Sequence, residues 1–420
     1  MLKKIAMQEL RLGMFLQSVE GSWLSHPFWK ARFLLTDPED LRKLQSCGAT
    51  ACWIDSARGA DVGGDAAPAT AAAAPAAAPE PASATSLPAE PAAPQATEPA
   101  AAAPARVEMA SELERAAQVM NRARTVVTSL FGEARLGRAV QTEQCIPLVE
   151  EIADSVTRNP SALISLARLK TKDDYTYMHS VAVCALMVSL GRQMGFSDAQ
   201  SREAGLAGLL HDVGKMAMPL EVLNKPGALT DDEYMVMKSH PVRGFELLRE
   251  GGAVPHAALD VCLHHHEKMD GTGYPRRLSG TQISLLARMG AVCDVYDAIT
   301  SNRPYKTAWD PAGSLARMAQ WKGHFDPEVF QAFIRCVGIY PVGTLVRLQS
   351  GRLGVVVEQN ATALTAPIVR VFFSTKSQLP IPTEVLDLAA ADAHDRITGR
   401  EDPAEWGFSR LEELWTQPAG

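Results

Sequence analysis

From Met109 onward the apolar residues fall three and four apart: Met109, Leu113, Ala116, Met120, Ala123, Val127 and Leu130, then Ile146, Val149, Ile152 and Val156. On a helix of about 3.6 residues per turn that spacing lines one face, so it predicts two amphipathic helices that complete a bundle or pair with another subunit. A similar stripe, Val183, Leu186 and Leu190, follows His179, and Ala204 to Leu210 reads as a further helix. No convincing alternation of strands interrupts this pattern, and residues 106–339 are predicted to be helical throughout. After Tyr340-Pro341 the pattern changes. Thr344-Leu345-Val346-Arg347-Leu348, Gly354-Val355-Val356-Val357 and Ile368-Val369-Arg370-Val371-Phe372-Phe373 are runs rich in β-branched residues, bounded by Gly and Pro. They predict a small sheet within 340–420. The tail from about Ala389 reads as loops and a short helix, with Trp406 and Trp415 as anchors onto the bundle.

Residues 1–62 carry short apolar runs separated by Gly and Asp and predict a small mixed α/β domain. Its Trp23, Phe28 and Trp29 serve as core or as a docking face. Residues 63–105 are almost entirely Ala and Pro, too poor in core-forming side chains to offset ordering entropy, and read as a disordered linker. Extended, that linker would reach on the order of 100 Å at about 3.1 Å per residue. The predicted class is mainly α, a helical bundle flanked by two small domains, and the resemblance drawn below from its motifs implies that the bundle is of the HD type.

The formal net charge of −7 argues against a general nucleic-acid polymer binder, so a nucleotide ligand should be small and held in a pocket. Seven cysteines without a CxxC pair argue against a disulfide scaffold. Glu9 and Arg11 interrupt the apolar stretch a signal peptide needs, and no apolar run reaches the roughly 18 to 20 residues of a membrane helix. The cytoplasm is the expected location, without membrane insertion.

Between Tyr175 and Asp294 the chain places His179, His211, Asp212, His240, His265, His266 and Asp294, a set able to hold two metal ions. A lone histidine heading an apolar stripe, as His179 does, is ordinarily a packed side chain; the adjacent His211-Asp212 pair downstream makes it a ligand candidate. Imidazoles joined by carboxylate oxygens suit iron, manganese or zinc, and Asp212 has two oxygens with which to bridge a pair. Consecutive helical residues point about 100° apart, so His265 and His266 need a helix end or an irregular turn to share an ion. His26, His256 and His324 read as structural, and His264 as a surface or supporting residue.

The run His211-Asp212-Val213-Gly214-Lys215, then His265-His266-Glu267, Asp270-Gly271-Thr272-Gly273-Tyr274-Pro275 and Thr300-Ser301-Asn302-Arg303-Pro304-Tyr305-Lys306, resembles the HD-GYP family of metal-dependent phosphodiesterases that hydrolyse cyclic di-GMP. Residues 1–62, with Leu10-Arg11-Leu12-Gly13-Met14 and the ending Trp53-Ile54-Asp55, are similar to the domain of unknown function that often precedes it. The resemblance implies two divalent cations, iron or manganese. It assigns His179, His211, Asp212 and Asp294 to one, and Asp212, His240, His265 and His266 to the other. Some relatives hold a third metal through a glutamate where this chain has Tyr175, so two ions are expected. Cations about 3.5–4 Å apart lower the pKa of a shared water and neutralise phosphoryl charge.

On the same basis Asp212 and Lys215 are the expected catalytic residues, Lys215 stabilising charge or protonating the departing 3′-oxygen. Lys215, Gly273, Tyr274, Pro275, Arg303 and Lys306 are expected to bind substrate, and Glu267, Asp270 and Asp297 to support the ligands. The expected products are linear pGpG, GMP or both. Two other readings stay open, a slow cyclic-dinucleotide sensor and an HD enzyme acting on another nucleotide. The family's usual proline is absent from Ile283-Ser284-Leu285, which should alter a turn rather than chemistry. A homodimer, or a protein partner on the N-terminal domain or the Gly-Tyr-Pro loop, is also left open.

Overall fold

The computed structural model describes residues 2–19, 33–36, 38–45, 51–60, 107, 109–138, 140–169, 175–252, 254–301, 308–360, 362–408 and 410–416 of the chain. The predicted linker 63–105, the aromatics Trp23, Phe28 and Trp29, and His26 lie outside them. The chain divides into two compact units, residues 1–96 and 97–420.

The first unit is the small α/β domain its sequence predicts. Strands β1 (Leu2–Ala6), β2 (Phe15–Val19), β3 (Phe33–Leu34) and β4 (Ala51–Asp55), with helix α1 (Pro38–Gln45), form an antiparallel sheet ordered β1-β4-β2-β3. Ile5, Leu10, Met14, Leu16, Leu35, Cys52 and Ile54 make its core.

The second unit opens with α2 (Met109–Arg135), whose predicted stripe is buried except for the partly exposed Met120. Inside that stripe sits a residue the apolar pattern does not reveal. Glu112 is fully buried, accepting Ser155 Oγ at 2.8 Å and Arg158 at 2.7 and 2.8 Å, so its charge is paired across to α3 (Ile146–Arg158). Val149, Ile152 and Val156 of α3 are buried as expected, but Ile146 is 47% exposed, because it opens the helix before the packed face begins. Asn159 then caps α4 (Pro160–Arg168), its side-chain oxygen accepting Ser161 N–H at 3.1 Å.

Helix α5 (Tyr175–Gln193) is buried on all sides from Val181 to Leu190 and packs against α2, α3, α4 and α6 (Asp198–Leu210). Its low amphipathicity follows from that central place. Short α7 (Leu220–Leu223) and α8 (Asp231–Met237) lead to α9 (His240–Glu250) and α10 (His256–His264), and α11 (Leu285–Thr300), α12 (Pro311–Met318) and α13 (Pro327–Val337) complete the bundle. Ser284, in the place of the family's proline, caps α11 by accepting Ala287 N–H at 3.0 Å and donates its hydroxyl to Asp260.

Beyond the bundle, β5 (Leu345–Leu348), β6 (Arg352–Glu358), β7 (Ile368–Ser374), β8 (Leu379–Asp387) and β9 (Ile397–Arg400) form an antiparallel sheet ordered β8-β7-β6-β5-β9, followed by α14 (Glu413–Thr416). The three predicted runs are β5, β6 and β7. Strand β9 corrects the expectation of loops beyond Ala389, since Ile397 is its one large apolar residue and its pairing with β5 is long-range. Strand β8 holds Pro380 and Pro382, which an edge strand tolerates. One face of the sheet, with Leu345, Leu353, Val355 and Phe373, shares the hydrophobic core of the helices, as does Trp415. Trp406 packs against the same core. Arg168 of α4 is buried and donates to the Val342 carbonyl just before the sheet. Among the described residues, no helix is long and apolar enough to cross a membrane.

Candidate metal centre

Five helices deliver the seven predicted ligand residues to one place. His179 lies in the second turn of α5, His211 caps the C-terminus of α6, and Asp212 follows it into the 3-10 turn Val213–Ala217. His240 opens α9, His265 and His266 follow the last residue of α10, and Asp294 projects from α11. The turn at the end of α10 resolves the problem of consecutive histidines, bringing the rings of His265 and His266 to 4.1 Å between centroids. Gly214 lets the 3-10 turn seat on α9, for a Cβ there would stand 1.9 Å from the His240 carbonyl oxygen and 2.4 Å from Gly244 N.

Each of four imidazoles is tied by its Nδ1 to a fixed acceptor. His211 reaches the Gly208 carbonyl at 2.7 Å, His240 the Met237 carbonyl at 2.7 Å, and His265 the Val261 carbonyl at 3.0 Å. His179 reaches Asp297 Oδ2 at 2.6 Å. A carbonyl or an ionised carboxylate only accepts, so Nδ1 carries the proton and, in the neutral ring, Nε2 is left with a lone pair. Those lone pairs face inward. His179 Nε2 is 3.0 Å from Asp294 Oδ1 and 3.5 Å from Asp212 Oδ2; His240 Nε2 is 3.3 Å from Asp212 Oδ1 and 3.4 Å from His265 Nε2.

Nitrogen lone pairs and carboxylate oxygens crowded this closely repel unless positive charge lies among them. His211 Nε2 and Asp212 Oδ1 are buried without a hydrogen-bond partner, though 3.4 Å separates His211 Nε2 from the other oxygen of Asp212. Three overlapping sets, His179/His211/Asp294, His211/Asp212/His265 and His240/His265/His266, each bring one ligand atom per residue within 4.8 Å of the others. The donor set and the orphaned atoms therefore fit divalent transition metals.

The titration behaviour expresses the same demand for cationic charge. Burial would push the His211 imidazole down, but Asp212 and Asp294 outweigh it and carry it up to about 10. Burial, reinforced by a charged His211, pushes His265 down to about 3, and burial together with His265 holds His266 well below the usual imidazole range. Burial also works against the charges of Asp212 and Asp294, yet Lys215 and His211 for the first, and His179 and His211 for the second, hold both well below the usual carboxylate range. Two ionised acids thus persist in a buried site.

Around the cage, Lys215 donates to Asp212, one turn along the chain. Asp297 holds His179 and also accepts Ser301 Oγ at 3.1 Å. Glu267 is 2% exposed. Its oxygens accept Arg276 N–H at 2.6 Å and Leu278 N–H at 3.0 Å, which fixes the Gly-Tyr-Pro loop. Asp270 closes a turn on Thr272, accepting its N–H at 2.9 Å and its hydroxyl at 2.6 Å. Within that loop Gly273 is buried where a Cβ would stand 2.5 Å from Glu267 Cα, and Tyr274 stacks on His266 at 4.7 Å, followed by Pro275. Arg303, Lys306 and the side chain of Tyr175 lie outside the described residues. His264 is tied to Asp260 at 2.8 Å, and His324 stacks on Phe325. One nearby residue went unmarked in the sequence: Lys238, at the joint of α8 and α9, stands over the ring of Tyr274.

Residues 2–145 match a domain of unknown function, DUF3391, and residues 148–329 match the HD domain family. Over 417 residues, 99% of this chain and 96% of its relative, the sequence is 53% identical to the cyclic di-GMP phosphodiesterase PA4108 of Pseudomonas aeruginosa. It is 40% identical over 202 residues, 47% of this chain and 53% of the relative, to the cyclic di-GMP phosphodiesterase response regulator RpfG of Xanthomonas campestris pv. campestris. A 3'3'-cGAMP-specific phosphodiesterase 1 of Vibrio cholerae is 32% identical over 178 residues, 41% of each chain.

Proposed function

This chain belongs to the HD-GYP-type cyclic di-GMP phosphodiesterases with an N-terminal DUF3391 domain, and from that membership we propose that its His/Asp cage is where cyclic di-GMP is hydrolysed, to pGpG, GMP or both. The observation that carries the proposal is the set of four imidazoles whose anchored Nδ1 atoms leave Nε2 facing two ionised carboxylates. His179, His211, Asp212 and Asp294 would hold one divalent cation, and Asp212, His240, His265 and His266 the second, with iron or manganese as the expected metals. When bound, such a pair polarises phosphoryl oxygens and acidifies water.

The chain's own residues do the rest. Asp212, whose two oxygens both lie among the imidazoles, would be the shared ligand. Asp297 fixes the His179 tautomer, so that a lone pair rather than an N–H points inward. Lys215, whose side chain is 23% exposed, spans from Asp212 toward solvent, where it would stabilise the departing 3′-oxygen or give it a proton. Gly273, Tyr274 and Pro275 would form one wall of the substrate cleft, with Arg303 and Lys306 supplying positive charge for the phosphates. Residues 1–62 and the linker 63–105 would act as a regulatory or partner-docking arm on a catalytic region within 106–339. A reducing cytoplasm is the proposed place of action, in keeping with seven cysteines that form no CxxC pair.

The test is direct. Purify the protein anaerobically, quantify bound metal, and follow cyclic di-GMP breakdown with manganese or ferrous iron supplied. Stoichiometric metal with turnover of cyclic di-GMP, abolished by Asp212→Ala, is the expected result. An Asp212→Ala protein that signals like wild type would favour a sensor. The 32% identity to a cGAMP-specific enzyme supports a second reading, turnover of a mixed-base cyclic dinucleotide, and comparing kcat/KM on the two ligands decides between them.

A further inference from the structure

We propose that Lys238 grips the phosphate of the cyclic dinucleotide that is not being cut, as the charged member of a clamp with Tyr234 and Tyr274; the proposal rests on the functional reading above. Lys238 sits at the C-terminal cap of α8, in the joint that turns the chain into α9, two residues before His240. Its Nζ stands 4.9 Å from the ring centre of Tyr234 and 5.0 Å from that of Tyr274. Tyr274 in turn stacks on His266 with centroids 4.7 Å apart and planes 28° from parallel. The ammonium therefore stands one ring beyond a candidate ligand, on the side where the Gly-Tyr-Pro loop meets the cage.

Two other lysines of the bundle have acidic partners. Lys215 is paired with Asp212, and Lys225 with Glu233 at 2.5 Å. Among the described residues no carboxylate lies within ion-pair distance of Lys238, which is held only by two aromatic faces. Such faces orient an ammonium without neutralising it, so the charge remains available to an anion. A cyclic dinucleotide carries two phosphodiesters across a single ring, so when one is over the cage the other must project along a wall. Lys238 meets that need for a second positive site.

The experiment compares Lys238→Met and Lys238→Arg with wild type on two substrates, cyclic di-GMP and bis(p-nitrophenyl) phosphate, which has a single phosphodiester and nothing for a second grip to hold. Bound metal is measured for each variant. Lys238→Met should raise KM for cyclic di-GMP by about tenfold or more with kcat changed far less, as expected for a charge-assisted contact made equally before and during reaction. Its loss in kcat/KM should be at least fivefold larger on cyclic di-GMP than on the small diester, and Lys238→Arg should recover most of it. An unmoved KM, or equal losses on both substrates, overturns the proposal and leaves Lys238 a packing residue. Failure of the functional reading looks different, because the wild type itself would then leave cyclic di-GMP intact.

Discussion

The support that Asp297 gives His179 lends itself to a near-isosteric test, Asp297→Asn. Both side chains are buried, at 1% and 2% exposure, and the 2.6 Å contact runs from His179 Nδ1–H to Asp297 Oδ2, while Oδ1 accepts the Ser301 hydroxyl. Asparagine can keep both contacts, its oxygen accepting from His179 and its amide donating to Ser301, whose hydroxyl turns to accept. What the substitution removes is charge. A carboxylate makes a hydrogen bond roughly twice as strong as a neutral acceptor and raises the basicity of the opposite ring nitrogen. Losing that support typically costs about 10–100-fold in metal affinity or activity, or about 1.4–2.7 kcal/mol. Calorimetric titration of metal-stripped protein with manganese should therefore show Kd rising by about that factor, with activity partly restored by excess metal. A Kd within twofold of wild type, or a loss of rate that saturating manganese leaves untouched, would refute the argument that Asp297 acts through His179.

Three further substitutions probe separate parts of the site. Glu267→Gln gives up one of the two acceptances that hold the Arg276 and Leu278 amides, and should raise KM several-fold while bound metal stays at the wild-type level; metal loss would mean that Glu267 serves the cage. Gly214→Ala drives a methyl against the backbone of His240 and Gly244, and should destabilise the fold by about 3 kcal/mol in urea unfolding, against a null result of under about 1 kcal/mol. Burial pushes His324 down to about 3, whereas in the unfolded chain it titrates near 6.5. Its contribution to stability is thus complete above about pH 6.5 and is lost as pH falls toward 3, because the unfolded state takes up the proton first. His324→Phe should flatten the acid decline of the metal-free protein by up to about 1.4 kcal/mol per pH unit, and identical slopes would reject the assignment.

The helices and the cage were legible for different reasons. An amphipathic stripe is a local signal, and that of α2 lies buried almost as the periodicity predicts. The candidate ligand residues could be picked out because histidine and aspartate at those spacings match a family pattern, and the structure draws all seven together. Glu112 was hidden because a charged residue inside an apolar stripe reads as solvated until Arg158 and Ser155 are seen across from it. Strands β8 and β9 were hidden because prolines, exposure and short length erase alternation, and only pairing with β7 and β5 defines them. The carbonyls of Gly208, Met237 and Val261 left no trace either, since any residue type supplies one.

The core shared between sheet and bundle bears on how the helical region can be excised. Residues 148–329 match the HD domain, yet Val127 and Phe131 of α2, Phe333 of α13, Leu345, Val355 and Trp415 all lie beyond those limits and inside the same hydrophobic interior. A clone trimmed to the match would be left with a large greasy surface prone to precipitation. The shortest autonomous piece should extend from about Val107 to Thr416, and a protease digest of the whole chain should stall near those ends.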